Sequence, residues 1–440
     1  MNDTATSPAP ALSSSLNARL SMMMFLQYAI WGAWLPFLWS FLADHRGMSG
    51  GDIGNMFAAG AVGAILGPFL AGQVADRYFA TEKFLGFSHI IGAVLIWQLA
   101  TIDTVNGFLV YSLIYGLVYA PTLSLTNSLA FHHLPDIDRD FGRVRKWGTL
   151  GWIAVGLAMG QWLAASHTPA EGTPEMIKAA QVAGKADAFR LSAILGVVMG
   201  VFCFTLPHTP PASGSDAKRS NATMEALGEV KRQPLLTLFL LAVPVSCIHQ
   251  FYFVHTEVFL GAKQVTAPNW STVIFGVGGG GLMTVGQMSE LLVLLAIPLV
   301  AKTLSRKSLL AIGLFAYAAR MGIFAYVDSI PLPTMATLLI GIALHGLCFG
   351  CFIFVAFMVV DENTTSDVRA SAQNLFNLVI IGVGVIVGSK IAGWVADWAT
   401  IDGVVDYAQL FSVPMWASIA VLVALMFFYP NGRNVEAASA

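Results

Sequence analysis

HTPPASGSDAKRSNATMEALGEVKRQP, His208 to Pro234, is the longest polar break in a chain made otherwise of apolar blocks. Working outward from it, apolar stretches of about 20 residues follow one another, six on each side. They run approximately over 20–42, 52–74, 84–101, 105–131, 146–166 and 188–207, then 235–260, 277–301, 307–327, 333–360, 370–396 and 408–429. Such a stretch crosses a hydrocarbon core about 30 Å thick at 1.5 Å per helical residue. The sequence therefore predicts an all-α membrane protein of twelve transmembrane helices. Residues 1–207 and 235–440 form two six-helix halves, and 208–234 links them.

Composition agrees. Of the 440 residues, 56% are hydrophobic and 11% charged, whereas a soluble domain carries about 45–50% apolar and about 25% charged residues. A single aqueous core stops growing near 250–300 residues, so lipid is the solvent this apolar surface needs. A net charge of −2 provides no global field for nucleic acid. Cys203, Cys247, Cys348 and Cys351 lie in apolar stretches without metal-ligand spacing, and we read them as small buried hydrophobes. The first residues lack the basic and short apolar regions of a cleaved signal, so the first helix is expected to stay. With the N-terminus in the cytoplasm, 16 of the 23 Lys and Arg fall on inner segments, 5 on outer segments and 2, Arg320 and Lys390, inside spans. That bias follows the positive-inside rule and places both termini in the cytoplasm, in a multi-pass protein of a cell membrane, expected to be a bacterial inner membrane.

An internal echo points to repetition: AGQVAD (Ala71 to Asp76) closes the second span at its inner end, and AGWVAD (Ala392 to Asp397) closes the eleventh at its outer end. Similar ends on opposite sides suit inverted repeats.

Polar groups inside lipid cost about 2.5–3.5 kcal/mol each when charged, so those that persist face a cavity or a partner. Their spacing places them on helix faces. The first span offers Gln27, Trp31 and Trp34, and the fifth Arg145, Thr149 and Trp152. The seventh offers Gln250, Phe253 and Glu257, the eighth Gln287 and Glu290, and the tenth His345, Phe349 and Phe352. Amides, a hydroxyl, a guanidinium, a carboxyl and rings suit a neutral, planar, hydrogen-bonding solute, because a polar group left unpaired in a dry site is penalised. Packing aromatics, interhelical amide bonds and a cytoplasmic anchor at Arg145 are the competing readings. Glu290 is the acid set deepest in an apolar span. Carboxyls in apolar surroundings hold protons more readily, which suits one to proton coupling; a structural partner such as Arg320 or Lys390 is the alternative. Those two cations are expected to be neutralised by neighbouring helices.

These residues give the chain its likeness. FLQYAIWGAWLPFL (Phe25 to Leu38), YAPTLSLTNS (Tyr119 to Ser128), RKWGTLGW (Arg145 to Trp152), QMSE (Gln287 to Glu290) and VRASAQNLF (Val368 to Phe376) together resemble the nucleoside:proton symporter family of the major facilitator superfamily, over nearly the whole chain. The resemblance implies that superfamily's fold and a substrate set in which Arg145, Thr149, Gln250, Gln287, Glu290 and Phe349 match in type. Trp152 stands where relatives place another aromatic. Phe253, His345 and Gly350 stand where they can have an amide, a tyrosine and an acid. GQVADRY (Gly72 to Tyr78) resembles the superfamily's loop between spans two and three, in which Gly72, Asp76 and Arg77 would latch helix ends.

The implied activity is import of nucleosides by proton symport through alternating access, with Glu290 as the proton-coupling group. A permease for a sugar or nucleobase, with other ion coupling, is the alternative. The expected partners are a small-molecule solute of the nucleoside class, a proton and the bilayer, with function as a monomer. No cofactor beyond the coupling proton is expected, and no metal. No nucleophile motif, Walker loop or metal cluster appears, and the polar segments are too short for a catalytic module, which argues against an enzyme or an ATP-driven pump.

Overall fold

The computed structural model describes residues 10–70, 79–211, 224–264, 269–365 and 368–431, and nearly all of them are helical. The long helices are α1 (Ser14–Trp34), α2 (Gly50–Leu70), α3 (Thr81–Leu99), α4 (Val105–His133), α5 (Ile137–Ser166), α6 (Pro174–Cys203), α7 (Leu235–Gln264), α8 (Gly280–Val300), α9 (Arg306–Ala325), α10 (Thr334–Glu362), α11 (Ser371–Ala399) and α12 (Tyr407–Phe428). Among the described residues nine of these, α4 to α12, are long and apolar enough to cross a membrane. Helices α1, α2 and α3, of 21, 21 and 19 residues, run in the same bundle, and the expected twelve spans require that they cross as well.

Short polar side chains set the starts. Ser13, Thr104, Asp136, Thr173, Ser305 and Asp406 each accept a hydrogen bond from a backbone N–H of the first turn, satisfying donors that no carbonyl can reach. Helix α5 begins at Ile137 rather than near 146, because Asp136 caps it and its first turns carry Arg139, Asp140 and Arg143, which hydropathy cannot count as membrane. Past Trp34, Pro36 lacks an N–H and tightens the chain into a 3₁₀ turn, Leu35–Phe37, before helical backbone resumes to His45. Two helices carry π turns, Cys348–Phe354 within α10 and Leu378–Val383 within α11.

Packing follows a repeated scheme. Helix α1 lies against α5 and α6, α2 against α4, and α3 against α4 and α6; likewise α7 lies against α11 and α12, α8 against α10, and α9 against α10 and α12. Helices α2 with α11 and α5 with α8 join the two sets. The outer faces are apolar: Phe87, Ile91 and Val94 on α3 and Leu292, Leu295 and Leu299 on α8 are exposed, while Gln27, Gln250, Gln287 and Arg320 are buried. A polar interior under an apolar surface is the arrangement lipid requires.

One expectation is corrected. Lys390 is exposed on α11, with no ion-pair partner within 4 Å among the described residues, so no neighbouring helix neutralises it. Beside the helices, Thr400–Ile401 and Val404–Val405 pair as a small antiparallel hairpin between α11 and α12, turned by Asp402 and Gly403, both at positive φ, which leaves the all-α class unchanged. The glycine run Gly276 to Gly281 forms a close-packed turn into α8. Gly276 has φ of 70° and its backbone lies on that of Gly160 in α5, where Val277 donates its N–H to the Gly160 carbonyl at 3.0 Å. Gly72, Asp76 and Arg77, with the AGQVAD echo, lie outside the described residues.

Candidate solute-binding cavity

Between the two helix sets lies a cavity of about 370 Å³, within the range of small-molecule sites. Of the nine residues expected at a solute site, eight line it: Arg145, Thr149 and Trp152 from α5, Gln250 and Phe253 from α7, Gln287 and Glu290 from α8, and Phe349 from α10. The two π turns flank it and present Phe349, Ile353, Ile380 and Ile381 to its wall, as such turns often do at functional sites.

The guanidinium of Arg145 rests 4.1 Å from the centre of the Tyr28 ring, a cation–π contact. Gly148 makes it possible: a Cβ there would stand 2.6 Å from the Tyr28 ring and 2.8 Å from the guanidinium. Trp152 meets Trp31 edge-on at 5.6 Å and Phe253 at 6.1 Å, and His249 connects Phe253 to Phe349. An aromatic wall thus runs from α1 and α5 across to α7 and α10.

Polar groups punctuate that wall. Gln250 donates through Nε2 to Ser389 Oγ at 3.1 Å, which fixes the amide and leaves its oxygen to accept. The buried Oε1 of Gln287 has no hydrogen-bond partner, an unmet acceptor beside the cavity. Glu290 is half-buried, and Arg145 from α5 acts on it electrostatically.

The exception is His345, which stands one layer behind the wall. It is buried, with Nδ1 2.9 Å from an Arg320 guanidinium nitrogen and Nε2 3.5 Å from Glu290 Oε2. Arg320, expected to be neutralised by a neighbouring helix, is held by this histidine and by the Tyr252 ring at 4.0 Å, with no carboxylate within 4 Å among the described residues. Gly350 also turns from the cavity, packing against Val293 of α8. Gln27 faces away from it, bonded to Thr122 at 2.8 Å and His89 at 3.0 Å. Glu257, placed by spacing on the face of Gln250, instead forms a buried pair with Lys185 at 2.8 Å, and Phe352 packs against Gly313 of α9.

Spacing missed Tyr28, His249, Tyr115 and Tyr119, all of which line the cavity. The signal was one residue away: Tyr28 follows Gln27, which faces away from the cavity, and His249 precedes Gln250, which shares the cavity face with it.

The family model for nucleoside H+ symporters matches residues 14–434. The chain belongs to the nucleoside:proton symporter family. Among relatives of this family it is 35% identical to Escherichia coli (strain K12) YegT, which is named provisionally as a nucleoside transporter, over 95% of this chain and 94% of that one. It is 26% identical to the nucleoside permease NupG of the same organism, over 94% and 95%. The crystal structure of the nucleoside transporter NupG superposes with a TM-score of 0.80 at 25% identity, covering 94% of this chain and 100% of that one. Weaker likeness to a bacterial Spinster homologue, TM-score 0.70 at 14% identity over 94% and 95%, concerns the fold alone. The symporter family's major facilitator fold, a multi-pass membrane transporter and not an enzyme, is thereby established for this chain.

Proposed function

We propose that the protein imports nucleosides with protons, by alternating access of two six-helix halves, residues 1–207 and 235–440, about the cavity between them, with 208–234 a cytoplasmic linker. One observation carries this reading: a carboxyl, a guanidinium, two amides and an aromatic wall, contributed by both helix sets, converge on a single cavity of solute size. In this reading Trp152 and Phe349 stack on the base, Phe253 closes the wall, and Arg145, Thr149, Gln250 and Gln287 bond ring edges and hydroxyls. Glu290 takes up a proton from one side and releases it to the other. The packing scheme, which repeats six helices apart, supports the division into halves.

The gradient is the energy source, with no metal or organic cofactor and no nucleic acid, and the monomer is the working unit of a bacterial inner membrane. Both termini are cytoplasmic. Ser40 donates to Glu257, and the Asp397 carboxylate accepts from the backbone N–H groups of Gly50 and Gly51; in this orientation these cross-contacts close the outer end, and the cavity opens inward.

Competition tests the substrate class. Binding of labelled uridine to purified protein should be displaced by unlabelled nucleosides and left intact by ribose and free bases. Displacement by ribose or a base alone would favour the sugar or nucleobase permease, for which Phe253 in place of an amide is the supporting departure.

A further inference from the structure

Among the described residues Arg320 is a cation without a carboxylate within 4 Å. It has no exposed surface, its Nε and one terminal nitrogen lack hydrogen-bond partners, and the rings of Tyr252 and Tyr317 lie 4.0 and 5.1 Å from its carbon. Buried charge of this kind is costly unless an opposite charge is within reach. Glu290 is reached through one side chain, His345.

The geometry fixes how that side chain must be protonated. A guanidinium nitrogen lies 2.9 Å from His345 Nδ1. Arginine only donates and does not lose its proton in proteins, so Nδ1 accepts and the hydrogen of the neutral imidazole sits on Nε2. That N–H faces Glu290 Oε2 across 3.5 Å, longer than the 2.7–2.9 Å or so of a charge-assisted bond. Two rings stack on the imidazole, Tyr252 at 4.9 Å and His249 at 5.4 Å, and His249 is itself tied to the Tyr317 hydroxyl at 2.7 Å. The Gly346 N–H donates to Ser289 Oγ at 3.0 Å, anchoring α10 to α8 beside the pair.

We propose that His345 is a positioning residue through which buried Arg320 acts on Glu290, holding a hydrogen-bond donor ready for the carboxylate and drawing it in when the proton leaves. The proposal rests on Glu290 as the proton carrier. In the release step the Glu290 O–H bond breaks, its proton goes to water at the open end, and the carboxylate accepts from His345 Nε2–H, which keeps its own proton. The other titratable or charged groups about this pair are Arg145 from α5, His249 and Tyr252 from α7, Tyr317 from α9 and Cys348 on α10. Of these only Arg145 is a second cation.

The test is the pH profile of gradient-driven uridine uptake in proteoliposomes, normalised to folded protein, for His345→Asn and His345→Gln. Asparagine keeps an acceptor near Nδ1 for Arg320 but falls short of Glu290, whereas glutamine keeps a donor near Nε2. Removing a donor from a carboxylate strengthens its hold on the proton, so in His345→Asn the limb reporting release moves to higher pH, by about one unit for a charge-assisted bond worth about 1.5 kcal/mol or more. His345→Gln stays nearer wild type. Equal loss at every pH in both variants, with the profile unmoved, would overturn the relay and leave His345 a packing residue. Glu290→Gln, run alongside, separates the two claims: if it still accumulates uridine against a gradient, the proton carrier itself has been misassigned.

Discussion

Trp152 shows what a single residue of the cavity is expected to contribute. Its indole meets Trp31 and Phe253 edge-on, leaving a ring face for a planar solute. Stacking of a base on an aromatic ring is worth about 1–3 kcal/mol, so Trp152→Ala should weaken uridine binding by about tenfold, measured by equilibrium binding to purified protein; unchanged affinity would remove the ring from the site. Gln287 argues differently. Its unpartnered buried oxygen is an acceptor awaiting a donor, and a substrate hydroxyl or amine would supply one. Gln287→Leu should therefore cost affinity for the solute that fills that need, by about 1–3 kcal/mol, while the empty protein loses little or gains thermal stability. A melting temperature that falls sharply without solute would instead make Gln287 an interhelical bond.

At the scale of the element, glycine chemistry decides how closely α5 and α8 approach. Gly276 takes a left-handed φ and its backbone presses on Gly160, while Gln161 donates through Nε2 to the Val273 carbonyl at 2.8 Å. A methyl at 276 is strained twice, by φ and by the neighbouring backbone. Gly276→Ala should lower the melting temperature of the detergent-solubilised protein and slow transport, by the order of 1–3 kcal/mol that such backbone strain costs; an unchanged melting temperature would mean that this end repacks freely. Helix positions were legible in the sequence because lipid makes hydropathy and length nearly sufficient. Their ends were less so, as α5 shows, because capped polar turns extend a helix beyond the apolar run. The hairpin at residues 400–405 was illegible, since two-residue strands carry no periodicity. Cavity-lining residues were legible where a polar group in an apolar span advertised itself, as Arg145, Gln250, Gln287 and Glu290 do. Tyr28 and His249 were passed over because rings and imidazoles sit in packing as readily as in sites, and only tertiary contacts separate the two.

For the whole molecule, the polar contacts between helix sets among the described residues gather at one end. Lys185 Nζ lies 2.8 Å from Glu257 Oε1, Ser40 donates to the other carboxylate oxygen at 2.7 Å, and Lys185 donates to Ser40 at 2.8 Å. Nearby, the Asp397 carboxylate accepts from the backbone N–H of Gly50 and Gly51 at 2.7 and 2.8 Å, an anion on the positive end of α2. In the sequence AGWVAD read only as a sign of repetition and Lys185 as a residue of an aqueous loop, and the contacts of both Asp397 and Lys185 came only with the packing of the helices. Glu257→Ala strands Lys185 without its partner, a loss of about 3–5 kcal/mol, enough to favour opening of that end. A cysteine in place of Leu38, which lines the cavity, should then react faster with an impermeant maleimide added from outside, on a background without Cys203, Cys247, Cys348 and Cys351. Unchanged labelling would show that the pair does not hold the end shut.

The central claim joins one carboxyl to nucleoside accumulation, and its most direct test is uptake of radiolabelled uridine and adenosine by proteoliposomes, with and without an inward proton gradient, for wild type and Glu290→Gln. The account predicts accumulation that requires the gradient in wild type and is lost in Glu290→Gln, in protein that remains folded. Accumulation by Glu290→Gln equal to wild type, or no uptake of either nucleoside by folded wild type, would contradict it.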